Sequence, residues 1–211
     1  MNYEKLSREN LERHERGLGR LAKDIQRVLR IAYTRVFEHE QTLHRLPEGI
    51  IRRELFDEDL EERIEAQKER IRRSCCRDGS IYMLCFDGGE VVGVAKTSPA
   101  RSEWSQRFRL RAPDRYLNDI AVSIPRRGIG SHLIKTALVD CSESGRAVLD
   151  AFEGNNVTNE WFARLGFSPM ERQPADLNYA IGTFVIPRIR MSAPRHDSVS
   201  RPTEATRFYP E

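Results

Sequence analysis

The chain has 211 residues, 39% hydrophobic and 32% charged, with 35 Lys and Arg against 32 Asp and Glu for a formal net charge of +3. That composition supports one domain with a sizeable core, and the near balance of charge gives no electrostatic ground for a nucleic-acid partner. No apolar run approaches the roughly 18 residues a membrane span needs, and "MNYEKLSRENLERHER" lacks a signal-peptide core, so a cytoplasmic protein without a membrane partner is expected.

The N-terminal residues 4–45 predict helix: Leu11, Leu18, Leu21, Ile25, Leu29, Ala32 and Val36 recur at steps of three, four or seven between charges. Gly17 and Gly19 interrupt that pattern and divide it into two helices. No first strand is visible ahead of them. "LPEG" at 46–49 is a break. Residues 57–73, "DEDLEERIEAQKERIRR", predict a second helical segment whose acidic start and basic end suit the helix dipole. The four cysteines are Cys75, Cys76, Cys85 and Cys141. The adjacent pair fits neither a disulfide framework nor a C-x-x-C zinc site, so reduced thiols and no metal are expected.

After "RDGS" the pattern turns extended. "IYMLCF" (81–86), "DGG" and "EVVGVAKT" (90–97) predict a β-hairpin. A polar stretch follows at 98–115, then a strand, "YLNDIAV" (116–122). A helix over 130–142, a strand "RAVLDAF" (146–152), a helix over 155–165 stopped by Gly166, and a last strand at 180–187 complete the reading. The segment 188–211, with Pro194, Pro202 and Pro210, predicts a flexible or docking tail. The fold class is therefore α/β: one domain with a mixed central sheet flanked by helices. Its parts are a helical N-terminal region (1–75), a core (76–187) and the tail.

Between the strand at 116–122 and the next helix stands "IPRRGIGSHLI" (124–134). A strand, a glycine-bearing turn and a helix start aim several N–H groups at one point, and the helix dipole reinforces them. Gly128 and Gly130 allow close approach of an anion. Arg126 and Arg127 add guanidinium charge. The pattern is neither G-x-x-x-x-G-K-[ST] nor the full G-x-G-x-x-G.

"YLNDIAVSIPRRGIGSHLIKTAL" followed by "RAVLDAFEGNNVTNEWFARLGF" resembles the GNAT superfamily of N-acetyltransferases. With the hairpin at 81–97 the resemblance covers about 90 residues in the family's order. It implies a splayed sheet with acetyl-coenzyme A, or another acyl-coenzyme A, held between two strands as co-substrate. By the same resemblance, backbone groups at Ile120 and Val122 hold the pantetheine arm and the thioester oxygen, and the turn Arg126, Arg127, Gly128, Ile129, Gly130 and Ser131 holds the pyrophosphate. Asn155 binds the arm from the other side. Two positions depart from the family pattern. Its Arg/Gln position falls on Pro125, which has no N–H. The tyrosine that returns a proton to the leaving thiolate is replaced by Phe162, seven residues after Asn155.

Acyl transfer to an amine needs a proton acceptor, a polarised thioester and two held reactants. Asp119 on the strand and Glu153 after the next one are the candidate bases, and Tyr116 is a candidate acid. Cys141, Trp161 and Phe162 are expected to pack rather than react, and His132 to be exposed or to pack. The expected acceptor is an amine of a small molecule or peptide, with the acceptor side built from the N-terminal helices and the 98–115 stretch. Two alternatives stand beside this: an acyl carrier protein as donor, docked on the basic 101–127 segment, and a coenzyme A-binding module without catalysis. A homodimer exchanging the C-terminal strand and tail is compatible with the sequence.

Overall fold

The computed structural model describes residues 1–44, 60–99, 114–142, 145–152, 155–179 and 182–193. Seven strands form one mixed sheet in the order β1-β2-β3-β4-β5-β7-β6. They are β1 (Asn2–Leu6), β2 (Ile81–Asp87), β3 (Glu90–Pro99), β4 (Arg115–Val122), β5 (Ala147–Phe152), β6 (Ser168–Tyr179) and β7 (Gly182–Ala193). The helices are α1 (Leu11–His14), α2 (Leu18–His44), α3 (Leu60–Arg73), α4 (Ile129–Ser142) and α5 (Asn156–Arg164).

The N-terminus differs from expectation. Residues 2–6 are not helix but a strand pairing antiparallel with β2, from Asn2↔Phe86 to Leu6↔Tyr82. Five residues give too short a pattern to separate strand from helix. The sheet decides it: Leu6 is fully buried among the helices, and Tyr3 packs on His132 on the opposite face. The glycine interruption falls where expected, as a 3-10 turn at Glu15–Gly17 between α1 and α2.

Helix α3 continues into a π-helical turn, Ser74–Asp78, stopped by Gly79 at φ 69°. The hairpin β2–β3 stands as expected, closed by Gly88 and Gly89, both at positive φ. Helix α4 crosses over between the parallel strands β4 and β5. Two strands then replace the single one expected: β6, which went unseen, and β7, which runs through residues assigned to the tail. Strand β7 inserts between β5 and β6. Pro169 and Pro174 hid β6 from a pattern reading, because proline demotes a strand to an edge, and β6 is the edge. Residues 100–113 and 194–211 lie outside the described residues.

Both faces of the sheet are covered. On one, α1, α2 and α3 pack through Leu11, Leu18, Ile25 and Ile71 onto Leu6, Tyr82, Leu84, Val94 and Ala121. On the other, α4 and α5 pack through Ile129, Leu133 and Phe162 onto Met83, Cys85, Ala95, Leu117 and Leu149. Strands β2 and β3 are buried on both sides, which explains apolar runs that only Lys96 and the residues after it interrupt. Among the described residues no helix is long and apolar enough to cross a membrane.

Candidate active site

The site begins where the sheet comes apart. Strands β4 and β5 pair only at Arg115↔Ala147 and Tyr116↔Val148. Beyond that, among the described residues, β4 is laddered only to β3 and β5 only to β7. Their facing edges hold backbone donors and acceptors that none of the seven strands uses, and an extended amide chain can add there as a strand would. Ile120 and Val122 lie on that free stretch of β4.

Strand β4 also bulges. Lys96 pairs with Asn118 and Val94 with Ala121, so Asp119 and Ile120 together oppose Ala95. Asp119 takes a left-handed backbone, φ 51°, rare for a residue with a side chain. The bulge turns the Asp119 carboxylate onto the α2–α3 face, while Ile120 packs on the α4–α5 core.

The turn after β4 is pinned at its start: Ser123 donates both its N–H (2.9 Å) and its hydroxyl (3.2 Å) to the Val92 carbonyl. Arg126 and Gly128 then adopt positive φ, 65° and 73°. The His132 N–H donates to the Gly128 carbonyl at 3.0 Å, starting the α4 ladder. The N–H groups of the first turn, Ile129 through Ser131, precede that ladder and have no helical partner. A side chain at Gly128 would meet nothing within 4 Å, so the space before the turn is open. Arg126 and Arg127 are exposed, and Arg127 stands 3.9 Å from Asp87, an exposed and weak pair.

Gly130 has a different reason from the one its spacing suggested. A Cβ there would lie 3.1 Å from the Trp161 ring and 3.7 Å from Val122. Ser131 accepts a 2.9 Å hydrogen bond from the Trp161 indole. These two residues lock α4 to α5, and only their N–H groups belong to the turn. Asn155 caps α5, its side-chain oxygen accepting from the Thr158 N–H at 3.2 Å. That cap uses the side-chain oxygen and not the amide nitrogen.

The other face of the gap carries the ionisable groups. Asp119 is buried, 3.1 Å from Lys96, and both its oxygens accept from Arg70 on α3 at 2.9 and 3.0 Å. Burial alone would raise its carboxyl; the Lys96 and Arg70 charges and hydrogen bonds outweigh that and hold it below the ordinary carboxylate value. Burial lowers Lys96, with the Asp119 charge opposing. Asp119 thus matches a structural ion-pair centre better than a base, because a depressed pKa weakens a proton acceptor. Glu153 lies outside the described residues.

Sequence reasoning missed Asp150. Leu149 and Ala151 belong to the α4–α5 core, so alternation puts Asp150 on the opposite face of β5. It is half-buried and accepts a 3.4 Å hydrogen bond from the Tyr116 hydroxyl across the mouth of the gap. A charge amid the apolar run "AVLDAF" was the available signal. Arg70 and Lys96 were missed too. Lys96 broke a strand of buried apolar residues, whereas Arg70 was hidden among a helix full of charges.

The residues expected to pack do so. Phe162 is buried, 4.9 Å from Trp161 and 5.6 Å from Phe167 between ring centres. Burial pushes the Cys141 thiol up to about 12, so it is no nucleophile at neutral pH. His132 stacks on Tyr3 at 3.8 Å, and burial, then Lys135, lowers its pKa.

Solved structures of the same architecture include a probable acetyltransferase from Staphylococcus epidermidis (10% identity, TM-score 0.59, 92% of this chain and 98% of that one). An aminoglycoside 6'-acetyltransferase type Ii aligns at 16% identity and TM-score 0.56, over 96% of this chain and 100% of that one. The PaiA N-acetyltransferase from Thermoplasma acidophilum, solved with coenzyme A, aligns at 15% and 0.53, over 92% and 99%. At these identities the likeness is one of fold. No curated protein matches the sequence. The acetyltransferase (GNAT) family model matches residues 48–167. That span is more than half the chain and contains the bulged strand, the parted β4 and β5, and the turn into α4: the chain belongs to the acetyltransferase (GNAT) family.

Proposed function

We propose that the protein transfers an acetyl or other acyl group from coenzyme A to the amine of a small molecule or peptide by direct attack. The observation that carries this is the parting of β4 from β5 after two residue pairs, beside a turn that opens into α4. The residues fit the donor. The free edge of β4 at Ile120 and Val122 suits the amides of a pantetheine arm, and the side-chain amide of Asn155, the N-cap of α5, is proposed to bind the arm from the other side. The open cradle at Gly128, the N–H groups of Ile129, Gly130 and Ser131, and the Arg126 and Arg127 charges suit a pyrophosphate.

In the reaction the amine nitrogen bonds to the thioester carbon, the oxygen takes up charge, and the carbon–sulfur bond breaks as the carbonyl re-forms. The bulge at Asp119 turns the backbone at Ile120 so that an N–H meets the developing oxyanion. Asp150, oriented by Tyr116, accepts the amine proton. Phe162 offers no proton, so the thiolate takes one from water, which its ordinary pKa near 8.5 permits. Asp119 holds the bulge.

Isothermal titration with acetyl-coenzyme A, followed by thiol release with a panel of amines, tests the reading. Micromolar binding and amine-dependent release are expected. Binding without turnover of any amine makes the chain a coenzyme A module; no binding to coenzyme A, with binding to an acyl carrier protein, changes the donor. Asp150→Asn should lower kcat by at least about tenfold while coenzyme A affinity is kept, and Asp119→Asn should lower it less. The reverse result returns the base to Asp119, and a kcat kept in both variants assigns the base to Glu153 or to water.

A further inference from the structure

The Arg70–Asp119–Lys96 cluster holds more positive charge than its carboxylate needs. Lys96 is 1% exposed and 3.1 Å from Asp119, itself 8% exposed. That pair is balanced and closed. Arg70 adds a second cation whose side chain stays 36% exposed. An arginine committed to one carboxylate usually sets two of its nitrogens against the two oxygens. Here Nη2 alone serves both oxygens. Nη1 and Nε have no partner among the described residues. Asp78 is the other carboxylate whose charge reaches Lys96, and it makes no ion pair with Arg70 among those residues.

Two buried polar atoms flank this cluster without a hydrogen-bond partner among the described residues: Gln67 Nε2 and Asn118 Oδ1. Gln67, 4% exposed, precedes Arg70 by three residues and shares its face of α3. Asn118 adjoins Asp119 on β4. A buried donor left unmade is costly, and a ligand oxygen relieves it. Across the gap, on β5, stands the opposite charge of Asp150. The two strands are neighbours, about 5 Å apart where they pair. Two residues beyond the Tyr116↔Val148 pair, Asn118 on β4 stands level with Asp150 on β5, so the arginine-bearing cluster at Asp119 adjoins one edge of the gap and a carboxylate lies on the other.

We propose that the acceptor is a short amino-carboxylate, an amine with a carboxylate one or two carbons away. Arg70 and Gln67 bind its carboxylate, and Asp150 faces its ammonium before taking the proton. This rests on the acyltransferase reading and names its substrate class. The amine arrives protonated at neutral pH, so both ends of such an acceptor find their complement.

The test is thiol release from acetyl-coenzyme A with α-amino acids and β-alanine, each matched with its carboxamide. At least one carboxylate should exceed its carboxamide in kcat/KM by about tenfold, the scale of one charge-assisted pair. In Arg70→Gln that ratio should fall to near one, mostly through KM, and Arg70→Lys should keep part of it. The ratio is internal to each variant, so a loss of folded protein does not move it. A preference for carboxamides throughout, or an undiminished ratio in Arg70→Gln, overturns the proposal. If no amine turns over, calorimetry of the same pairs on the coenzyme A-saturated protein decides: equal or absent binding of the two members overturns it. Failure of the underlying reading looks different, because then acetyl-coenzyme A itself neither binds nor is consumed.

Discussion

Gly128 and Gly130 are two residues apart and serve different ends. Gly128 sits at φ 73° with open space on its Cβ side. Gly128→Asp therefore costs about 1–2 kcal/mol of backbone strain and puts a negative charge at the proposed anion cradle. Coenzyme A affinity should fall by at least about tenfold while the chain stays folded, as titration and circular dichroism will show. Gly130→Ala should leave the cradle open but push on Trp161, lowering stability by about 1–3 kcal/mol, measured by urea unfolding. Wild-type coenzyme A affinity in Gly128→Asp would remove the phosphate reading of the turn.

Arg126 supplies a cleaner probe of charge. Its left-handed backbone, φ 65°, suits glycine better than arginine. Arg126→Gly should raise stability by about 1 kcal/mol and weaken coenzyme A binding. The affinity loss should shrink at high salt, because the exposed guanidinium acts through screened attraction. A loss independent of salt would mean the side chain shapes the turn instead.

At the scale of elements, β1 shows how a short segment can close a core. Leu6 is fully buried beneath α1 and α2, and Tyr3 holds the other face through His132. Leu6→Ala should cost about 2–5 kcal/mol and lower the thermal midpoint by about 5–15 °C. An unchanged midpoint would make β1 an ornament of the sheet. Strands β2 to β5 were visible in sequence because each is a run of apolar residues bounded by turn formers. Strand β6 was not, because its prolines and polar residues are allowed only by its place at the sheet edge, and place is a tertiary property.

For the whole molecule, the Asp119 cluster ties α3 to β3 and β4, so its charge is also a matter of stability. The native carboxyl pKa is depressed, so the unfolded chain binds that proton more readily. The resulting stability is full above the unfolded value near 3.9 and is lost as pH falls through the folded one. Asp119→Asn strands Lys96 as a buried cation and should cost about 3 kcal/mol at pH 7. The gap between wild type and variant should narrow in acid below pH 4. Urea midpoints at pH 7 and pH 3 measure it, and a constant gap would show that the carboxylate charge contributes nothing.

The sequence by itself determined the fold family and marked the turn proposed to hold the donor. Periodicity, the two-residue hairpin turn and the run from Tyr116 to Phe167 are local signals, written in contiguous residues. The surroundings of the residues proposed for the acceptor side were decided by the tertiary structure alone. Asp119 reads in sequence as a candidate base, and only the fold sets Arg70, 49 positions away, and Lys96 against it. Asp150 looked like one charge in a strand until alternation and the Tyr116 hydroxyl put it at the mouth of the gap. Gly130 reads in sequence as a phosphate glycine, and only the fold adds the Trp161 ring that fills its Cβ space. A side chain's pKa and role depend on which charges and rings share its few ångströms, and folding draws those neighbours from distant parts of the chain.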